Sequence, residues 1–350
     1  MDYTLFFCAV LLTLFGVLMV YDASVVEAYQ QFGNKFFFAK QQLVWAGIGL
    51  VVLGLTSQIP YWLWKKVSIG AFVATVVMLG LVLVPSIGMK IQGARRWIGF
   101  GSLTIQPAEL AKLTLILYLS LLLEKKRSLL QFLVAVGVAA GLIVLEPDLG
   151  TGIVIVAIGA ALYFFSGAPL KTFLTLGIVG TIVGMGVIAI SPYRRARVAT
   201  FFNPKDDPLG ASYHIRQVLI ALGSGGLFGV GIGQSRQKFQ YIPAATTDSI
   251  FAIIAEEVGF IGSLGLIVLF LFMIMRAMKI ARQSKDQFGK LLCGGIAAWI
   301  GIQAALNLAT MVALVPLTGI PLPLISYGGS ATIVTLAGIG IVLNVSKYAK

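Results

Sequence analysis

The sequence predicts an all-α, polytopic integral membrane protein, a single domain over residues 1–350 with about ten transmembrane helices. Three observations carry that prediction. Apolar runs of about eighteen residues or more recur along the whole chain, the length a helix needs to cross a bilayer. Hydrophobic residues make up 58% of the chain and charged residues 11%, with a mean hydropathy of +0.95. A soluble domain of this size could not bury so much apolar surface. The basic residues between the runs are divided unequally, as they are where charge sets membrane orientation.

The spans fall at roughly 3–21, 36–57, 67–85, 107–123, 129–145, 149–165, 172–191, 248–275, 291–315 and 328–346. The first begins at Tyr3 with neither a basic leader nor a small-residue cleavage site, and reads as a retained span rather than a signal peptide. Cys8 and Cys293 lie in apolar runs and read as small core residues, with no disulfide or metal role implied. An even number of spans puts both termini on one side. The loops and tail of that side carry thirteen basic residues, from Lys65 to Lys350 and including Lys126 and Arg127. The short loops opposite carry five: Lys35, Lys40, Lys90, Arg95 and Arg96. The termini are therefore expected in the cytoplasm.

Taken in chain order, Gly93-Ala-Arg-Arg-Trp97 is an outer loop whose Arg95 and Arg96, beside Trp97, suit either an interfacial anchor or a phosphate clamp. Gln106-Pro-Ala-Glu-Leu-Ala-Lys112 opens the fourth span, with Pro107 in the first turn, where its missing N–H matters least. Glu109 and Lys112 are three residues apart and share a face. They are either a structural ion pair or a functional one in which Lys112 reaches a phosphate. Glu146-Pro-Asp-Leu-Gly-Thr151 reads as a tight outer turn. In it Asp148 either caps the next helix or supports a site. Gly150, Gly152, Gly159, Gly180, Gly184 and Gly186 are accounted for by close helix packing.

Residues 192–247 form the one long polar loop, predicted to be extracytoplasmic between spans seven and eight. It carries Arg194, Arg195, Arg197, Lys205, Arg216, Arg236 and Lys238 against only Asp206 and Asp207. Long loops translocate whatever their charge, so these residues are either merely solvated or an anion-attracting surface beside the membrane. The net charge of +13 does not indicate nucleic acid, because topology accounts for half of it and no base-stacking or DNA-reading motif is present. His214 is not read as catalytic. At the end of the loop Asp248 stands where the chain enters the eighth span, and a carboxylate held partly dehydrated at a membrane boundary marks a functional site. Glu256 and Glu257, about 12–14 Å further along the helix, are too deep to share a ligand with it and are expected to hydrogen-bond within the bundle. Pro316-Leu-Thr-Gly-Ile-Pro-Leu-Pro-Leu-Ile-Ser-Tyr-Gly-Gly-Ser330 cannot be a continuous helix. It is a candidate cavity wall in which Ser326, Tyr327 and Ser330 offer hydrogen bonds. No Walker loop, His/Cys metal cluster or Ser-His-Asp arrangement is present.

These motifs together resemble the SEDS family (shape, elongation, division and sporulation) from end to end. The resemblance also rests on Asp207-Pro-Leu-Gly-Ala-Ser-Tyr-His-Ile215, Ala221-Leu-Gly-Ser-Gly-Gly-Leu-Phe-Gly229, Gly233-Gln-Ser-Arg-Gln-Lys238 and Thr247-Asp-Ser-Ile-Phe-Ala252. Pro192-Tyr-Arg-Arg-Ala-Arg197 and the two glycine-rich segments are most similar to the division branch, FtsW, or its sporulation relative. The elongation branch, RodA, fits less well. One departure stands out. Family members usually carry Pro-Glu-x-His-Thr-Asp-Phe before the eighth span, where this chain has Pro243-Ala-Ala-Thr-Thr-Asp-Ser249.

The resemblance implies a SEDS, GT-C-like fold and peptidoglycan glycosyltransferase activity: lipid II is joined into glycan with release of undecaprenyl pyrophosphate. It makes Asp248 the essential carboxylate. The expected role is general base toward the acceptor hydroxyl, with Arg95, Lys112, Arg194 and Arg216 as candidates to stabilise the pyrophosphate. No cofactor is required, although a divalent cation such as Mg²⁺ could share that charge. The implied partners are a class B penicillin-binding protein, divisome proteins and membrane lipid, with the chain in the bacterial plasma membrane at the division septum. The rival readings are a lipid II flippase, for which broken segments and buried charges also suit, an elongation-type synthase, and a non-catalytic scaffold in which Asp248 merely caps a helix.

Overall fold

The computed structural model describes residues 1–91, 94–100, 103–125, 128–202, 211–239 and 241–349. Gly93, Lys126, Arg127, Lys205, Asp206, Asp207 and Lys350, named above, lie outside them. The helices are α1 (Tyr3–Phe32), α2 (Phe37–Gln58), α3 (Tyr61–Val82), α4 (Pro107–Glu124), α5 (Leu129–Leu145), α6 (Leu149–Phe165), α7 (Leu170–Ile190), α8 (Pro192–Phe202), α9 (Ala211–Ser224), α10 (Ile250–Gln283), α11 (Gln287–Met311) and α12 (Gly329–Tyr348). Each expected span corresponds to one of the ten longest. Seven of these, α1, α2, α3, α7, α10, α11 and α12, are long and apolar enough to cross a membrane. Of the other three, α5 and α6 have 17 residues and α4 has 18, with Glu109, Lys112 and Glu124 in its sequence. They sit at the short end of spanning lengths.

Helix boundaries follow local chemistry. The Asp2 side chain accepts the Leu5 N–H at 2.9 Å and starts α1, and Gly33, at φ +65°, ends it. At 30 residues α1 is about 45 Å long, so it runs well past the expected end near residue 21. Hydropathy locates the bilayer segment of a helix, not its polar extension. Helix α4 is the hub, packed against α3, α5, α6, α11 and α12. Its Leu115, Ile116 and Leu119 are fully buried alongside Trp299. Helix α7, by contrast, buries none of its residues and, among the described elements, touches only α6 and α8. The two ends of the chain meet, with Asp2 N–H donating to Ser346 Oγ at 2.9 Å and Arg276 pairing with Asp2 at 2.5 Å.

Two segments read as loops are ordered. Residues 88–105 form an antiparallel sheet of β1 (Gly88–Ile91), β2 (Ala94–Phe100) and β3 (Leu103–Ile105), paired Gly88 with Ile98 and Ile98 with Ile105. The strands are too short, and the bulge between Met89 and Lys90 too disruptive, for a clean period-two pattern to appear in the sequence. The long loop contains α8 and α9. Helix α9 is amphipathic and buries Val218 and Ala221 against α10, a stripe hidden among polar residues.

Helix α10 is interrupted at Gly259, whose backbone is non-helical at φ +70°. Residues 225–231 cross it there. Val230 and Gly231 N–H groups donate to the Glu256 and Glu257 carbonyls at 3.0 Å, and Phe260 N–H donates to Gly226 O at 2.9 Å. A side chain on Gly225, Gly229 or Gly259 would collide with backbone. Gly259→Ala is expected to cost about 1–3 kcal/mol, read as a fall of several degrees in the detergent-solubilised Tm. An unchanged Tm would mean the crossing is not closely packed.

Candidate functional site

Asp248 lies on the turn before α10. Ala244, at φ +52°, accepts the Thr247 and Ser249 N–H groups on its carbonyl at 3.1 and 3.3 Å. Ser249, not Asp248, occupies the N-cap position, and no side chain caps the helix. The carboxylate is therefore not a helix cap. Thr247 Oγ1 donates to Asp248 Oδ1 at 3.2 Å. Two other elements, α11 and the 316–330 segment, hold the turn. Buried Asn307 on α11 donates through Nδ2 to the Asp248 carbonyl at 2.7 Å and the Ile320 carbonyl at 2.8 Å. Tyr327 N–H donates to Thr246 O at 2.8 Å, and Ser326 Oγ donates to Thr247 O while accepting Leu322 N–H at 2.8 Å.

The 316–330 segment thus packs beside the carboxylate, as a wall. Gly319, at φ +71°, has its vacant Cβ position 3.9 Å from Asp248 Oδ2. Ser326 and Tyr327, expected to offer hydrogen bonds to a ligand, instead brace the Asp248 turn, with Tyr327 Oη donating to Gln41 on α2. Ser330 accepts Gln106 N–H at 3.1 Å and donates to Thr104 O at 3.3 Å, joining the wall to β3 and α4. Underneath, Gly150 packs on Thr318 O and Ile320.

The structure sorts the expected cations. Lys112 is 1% exposed, and its Nζ bonds Glu109 Oε1 at 2.7 Å and Gln303 Oε1 at 2.8 Å, above the Trp299 ring. Lys112 and Glu109 therefore form the structural pair rather than the phosphate-reaching one, since burial leaves the amine facing its partners only. Gln303 extends the pair to the Pro321 carbonyl at 3.0 Å. Arg194 donates to Val144 O at 2.7 Å and Val187 O at 3.3 Å, pinning α8 to the ends of α5 and α7. Arg216 is exposed on α9. Arg95 is half-buried in β2, while its neighbour Arg96 donates to the Glu146 carbonyl at 3.0 Å and to that of Pro147. Asp148 caps α6, accepting Thr151 N–H at 3.0 Å and Thr151 Oγ1 at 2.9 Å.

Three further residues belong to the site: the sequence reading named Arg197 only among the loop's basic residues and His214 only as not catalytic, and missed Asn307. Arg197 on α8 donates to Leu317 O at 3.1 Å, and its charge acts on both Asp248 and His214. His214 Nε2 lies 2.7 Å from the Ser249 hydroxyl. The third is Asn307. The available signals were Asn307 and Gln303 as amides one turn apart in an apolar span, and Arg197 following Arg194 by three residues. Dehydration raises the Asp248 carboxyl above the ordinary range, although its surface is only half-buried. Protein atoms crowd it closely on its covered side. Asp248 and Ser249 backbone donors, the Thr247 hydroxyl and the Arg197 charge oppose that rise. Burial, aided by Arg197, pushes His214 down to about 4, so it stays neutral near pH 7. Burial and neighbouring Asp148 push Glu146 up to about 8, against Arg96.

Glu256 and Glu257 do hydrogen-bond inside the protein, as expected, but largely to the loop. Glu256 accepts the N–H groups of Arg236 and Gln237 at 3.2 and 3.4 Å and the Ser235 hydroxyl. Glu257 accepts Ser235 N–H at 3.1 Å and pairs with Lys238 at 3.3 Å, which also pairs with Asp22 on α1 at 2.8 Å. Among the described residues, no three His, Cys, Asp or Glu side chains gather as a metal site.

A helical membrane bundle with one half-buried carboxylate on a braced turn, walled by broken backbone and faced by an arginine, defines the class. The chain belongs to the FtsW/RodA/SpoVE family, whose "Cell cycle protein" model matches residues 2–350. It is 42% identical to stage V sporulation protein E of Bacillus subtilis strain 168, covering 100% of this chain and 98% of that one. To a probable peptidoglycan glycosyltransferase FtsW of Geobacter sp. strain M18 it is 37% identical, covering 99% and 96%. Among solved structures, a chain from a peptidoglycan synthase complex superposes with TM-score 0.81 at 30% identity, covering 99% and 98%. Thermus thermophilus RodA does so with TM-score 0.74 at 29% identity, covering 99% and 97%.

Lys112→Met strands the Glu109 charge in the core and should cost about 3–5 kcal/mol, seen as loss of monodisperse protein on heating in detergent. Adding Glu109→Gln should recover much of it. Failure of the double variant to recover would show that the amine does more than neutralise Glu109.

Proposed function

We propose that this protein is a peptidoglycan glycosyltransferase that polymerises lipid II and releases undecaprenyl pyrophosphate, working with a class B penicillin-binding protein. The observation carrying this reading is Asp248: a carboxylate dehydrated enough to act as a base, fixed by Asn307, Ser326 and Tyr327 yet half open to a ligand. The acceptor GlcNAc 4-hydroxyl would lose its proton to Asp248 while its oxygen attacks MurNAc C1 of the donor. A single displacement inverts that carbon. Pyrophosphate departs without protonation if cations meet its growing charge, so one carboxylate suffices. The α7 helix, none of whose residues is fully buried, leaves a lipid-facing flank that leads through α8 to Asp248 and suits a polyprenyl-linked substrate. On this reading Asp248 lies on the outer face and both termini in the cytoplasm, an orientation supported by the distribution of basic residues among the loops. A septal role in division or sporulation is favoured by 42% identity to stage V sporulation protein E, against 29% to RodA.

The test is polymerisation of labelled lipid II by the purified protein with its cognate class B partner. Asp248→Asn keeps the shape but cannot take a proton, and should lower kcat about 10²–10⁴-fold. Equal polymer from both proteins would remove Asp248 from catalysis. No polymer from either, with folded protein and a verified partner, would favour lipid flipping.

The same assay carries a pH expectation. Asp248 must be ionised to act and its carboxyl is raised, so the rate should fall as pH drops through a value above the usual aspartate range. An acid limb at or below about pH 4 would contradict it.

A further inference from the structure

The mechanism above asks a dehydrated carboxylate to be ionised at neutral pH, and among the described residues the Arg197 charge acts in that direction. Helix α8 is fixed by Arg194, whose guanidinium bonds the carbonyls ending α5 and α7. Arg197 is three residues on and shares that face of the helix. It donates to Leu317 O at 3.1 Å, two residues before Gly319, whose open Cα side lies against Asp248 Oδ2. The anchor of the guanidinium and the carboxylate thus belong to one small patch.

We propose that Arg197 is the positioning residue that holds Asp248 as an anion, through its charge and through its grip on the Leu317–Gly319 wall. This rests on the reading of Asp248 as the base.

The other groups around the carboxylate cannot do this. Thr247, Asn307, Ser326 and Thr318 are neutral. His214, on α9, reaches the turn only through Ser249 and is itself kept neutral by burial and by Arg197. On the turn beneath Thr318, Glu146 is pushed up to about 8 and so is mostly neutral near pH 7, Asp148 carries the wrong sign, and Arg96 beside them is bonded to the carbonyls of Glu146 and Pro147. Lys112 is enclosed with Glu109. Among the described residues, Arg197 is the charge acting on Asp248 that favours its ionisation.

The experiment is an infrared titration of the full-length protein, reading Asp248 alone from the difference between each form and its Asp248→Asn counterpart. Arg197→Gln keeps an amide donor for Leu317 O and removes the charge, and Arg197→Lys keeps the charge. The Asp248 midpoint should rise by about one pH unit or more in Arg197→Gln and stay near wild type in Arg197→Lys. In lipid II polymerisation the acid limb should move by the same amount, with activity approaching wild type at high pH.

An unmoved midpoint in Arg197→Gln overturns the proposal. So does a pH-independent loss of rate, which assigns a structural tether, or a raised KM for lipid II with the limb unmoved, which assigns donor phosphate binding. Titration needs no turnover. A shifted midpoint in a protein that makes no polymer therefore supports the Arg197–Asp248 coupling while removing the glycosyltransferase reading.

Discussion

Non-helical backbone lying against membrane-spanning helices must find hydrogen-bond partners inside the protein, and most of this structure answers that constraint. Two stretches impose it, one across the α10 break and one between α11 and α12. Glu256 and Glu257 take up N–H groups of the first through their carbonyls, and those of residues 235–237 just beyond it through their carboxylates. Asn307 and Gln303 donate to carbonyls of the second, and Gln42 on α2 meets it at Ser326 O and Gly328 N–H. A helix side chain that saturates a neighbouring irregular backbone also fixes where that backbone sits. The Asp248 turn is held through its own backbone groups, leaving its carboxylate for other work.

The same constraint divides the charges. A charge enclosed among helices is tolerated when its partner is at hand, as Lys112 is by Glu109 and Lys238 by Asp22 and Glu257. Lys112 also bonds Gln303 and so ties α4 to α11, Lys238 ties the loop to α1 and α10, and both cations have little freedom to meet a substrate. Arginines at the Asp248 end behave differently. Arg96, Arg194 and Arg197 each hold main-chain carbonyls, which a planar guanidinium can do while keeping its charge at the surface of the site. Carboxylate and cation are thus placed by the devices that satisfy backbone.

The apolar runs made the helical bundle legible, because each must be buried or face lipid whatever its neighbours do. Asp248 was legible for the converse reason: a charge at a hydrophobic boundary is costly without a purpose. What was not legible depends on contacts between segments far apart in sequence. Ser326 and Tyr327 present the same groups whether they face a ligand or the 246–247 carbonyls, and only the return of α10 beside the wall decides. Lys112 could reach outward or inward, and Gln303, 191 residues away, settles it. The strands at 88–105 are too short to impose a period, and α9 is helical because α10 covers its apolar stripe.

The departure from the family pattern before α10 can be weighed physically. Alanine and threonine stand at 244 and 246 where relatives usually carry Glu and His. Yet the bonds holding the turn run through the Ala244 and Thr246 carbonyls, which any residue supplies. The left-handed Ala244 costs about 1 kcal/mol, a strain the surrounding hydrogen bonds can hold. Serine for Phe at 249 changes more. A ring that could only pack is replaced by a hydroxyl, fully buried and 2.7 Å from His214. That bond joins helix α9 to the residue next to Asp248, and a neutral imidazole makes it without adding a competing charge. The turn keeps its shape, and in this chain its tie to the loop is polar.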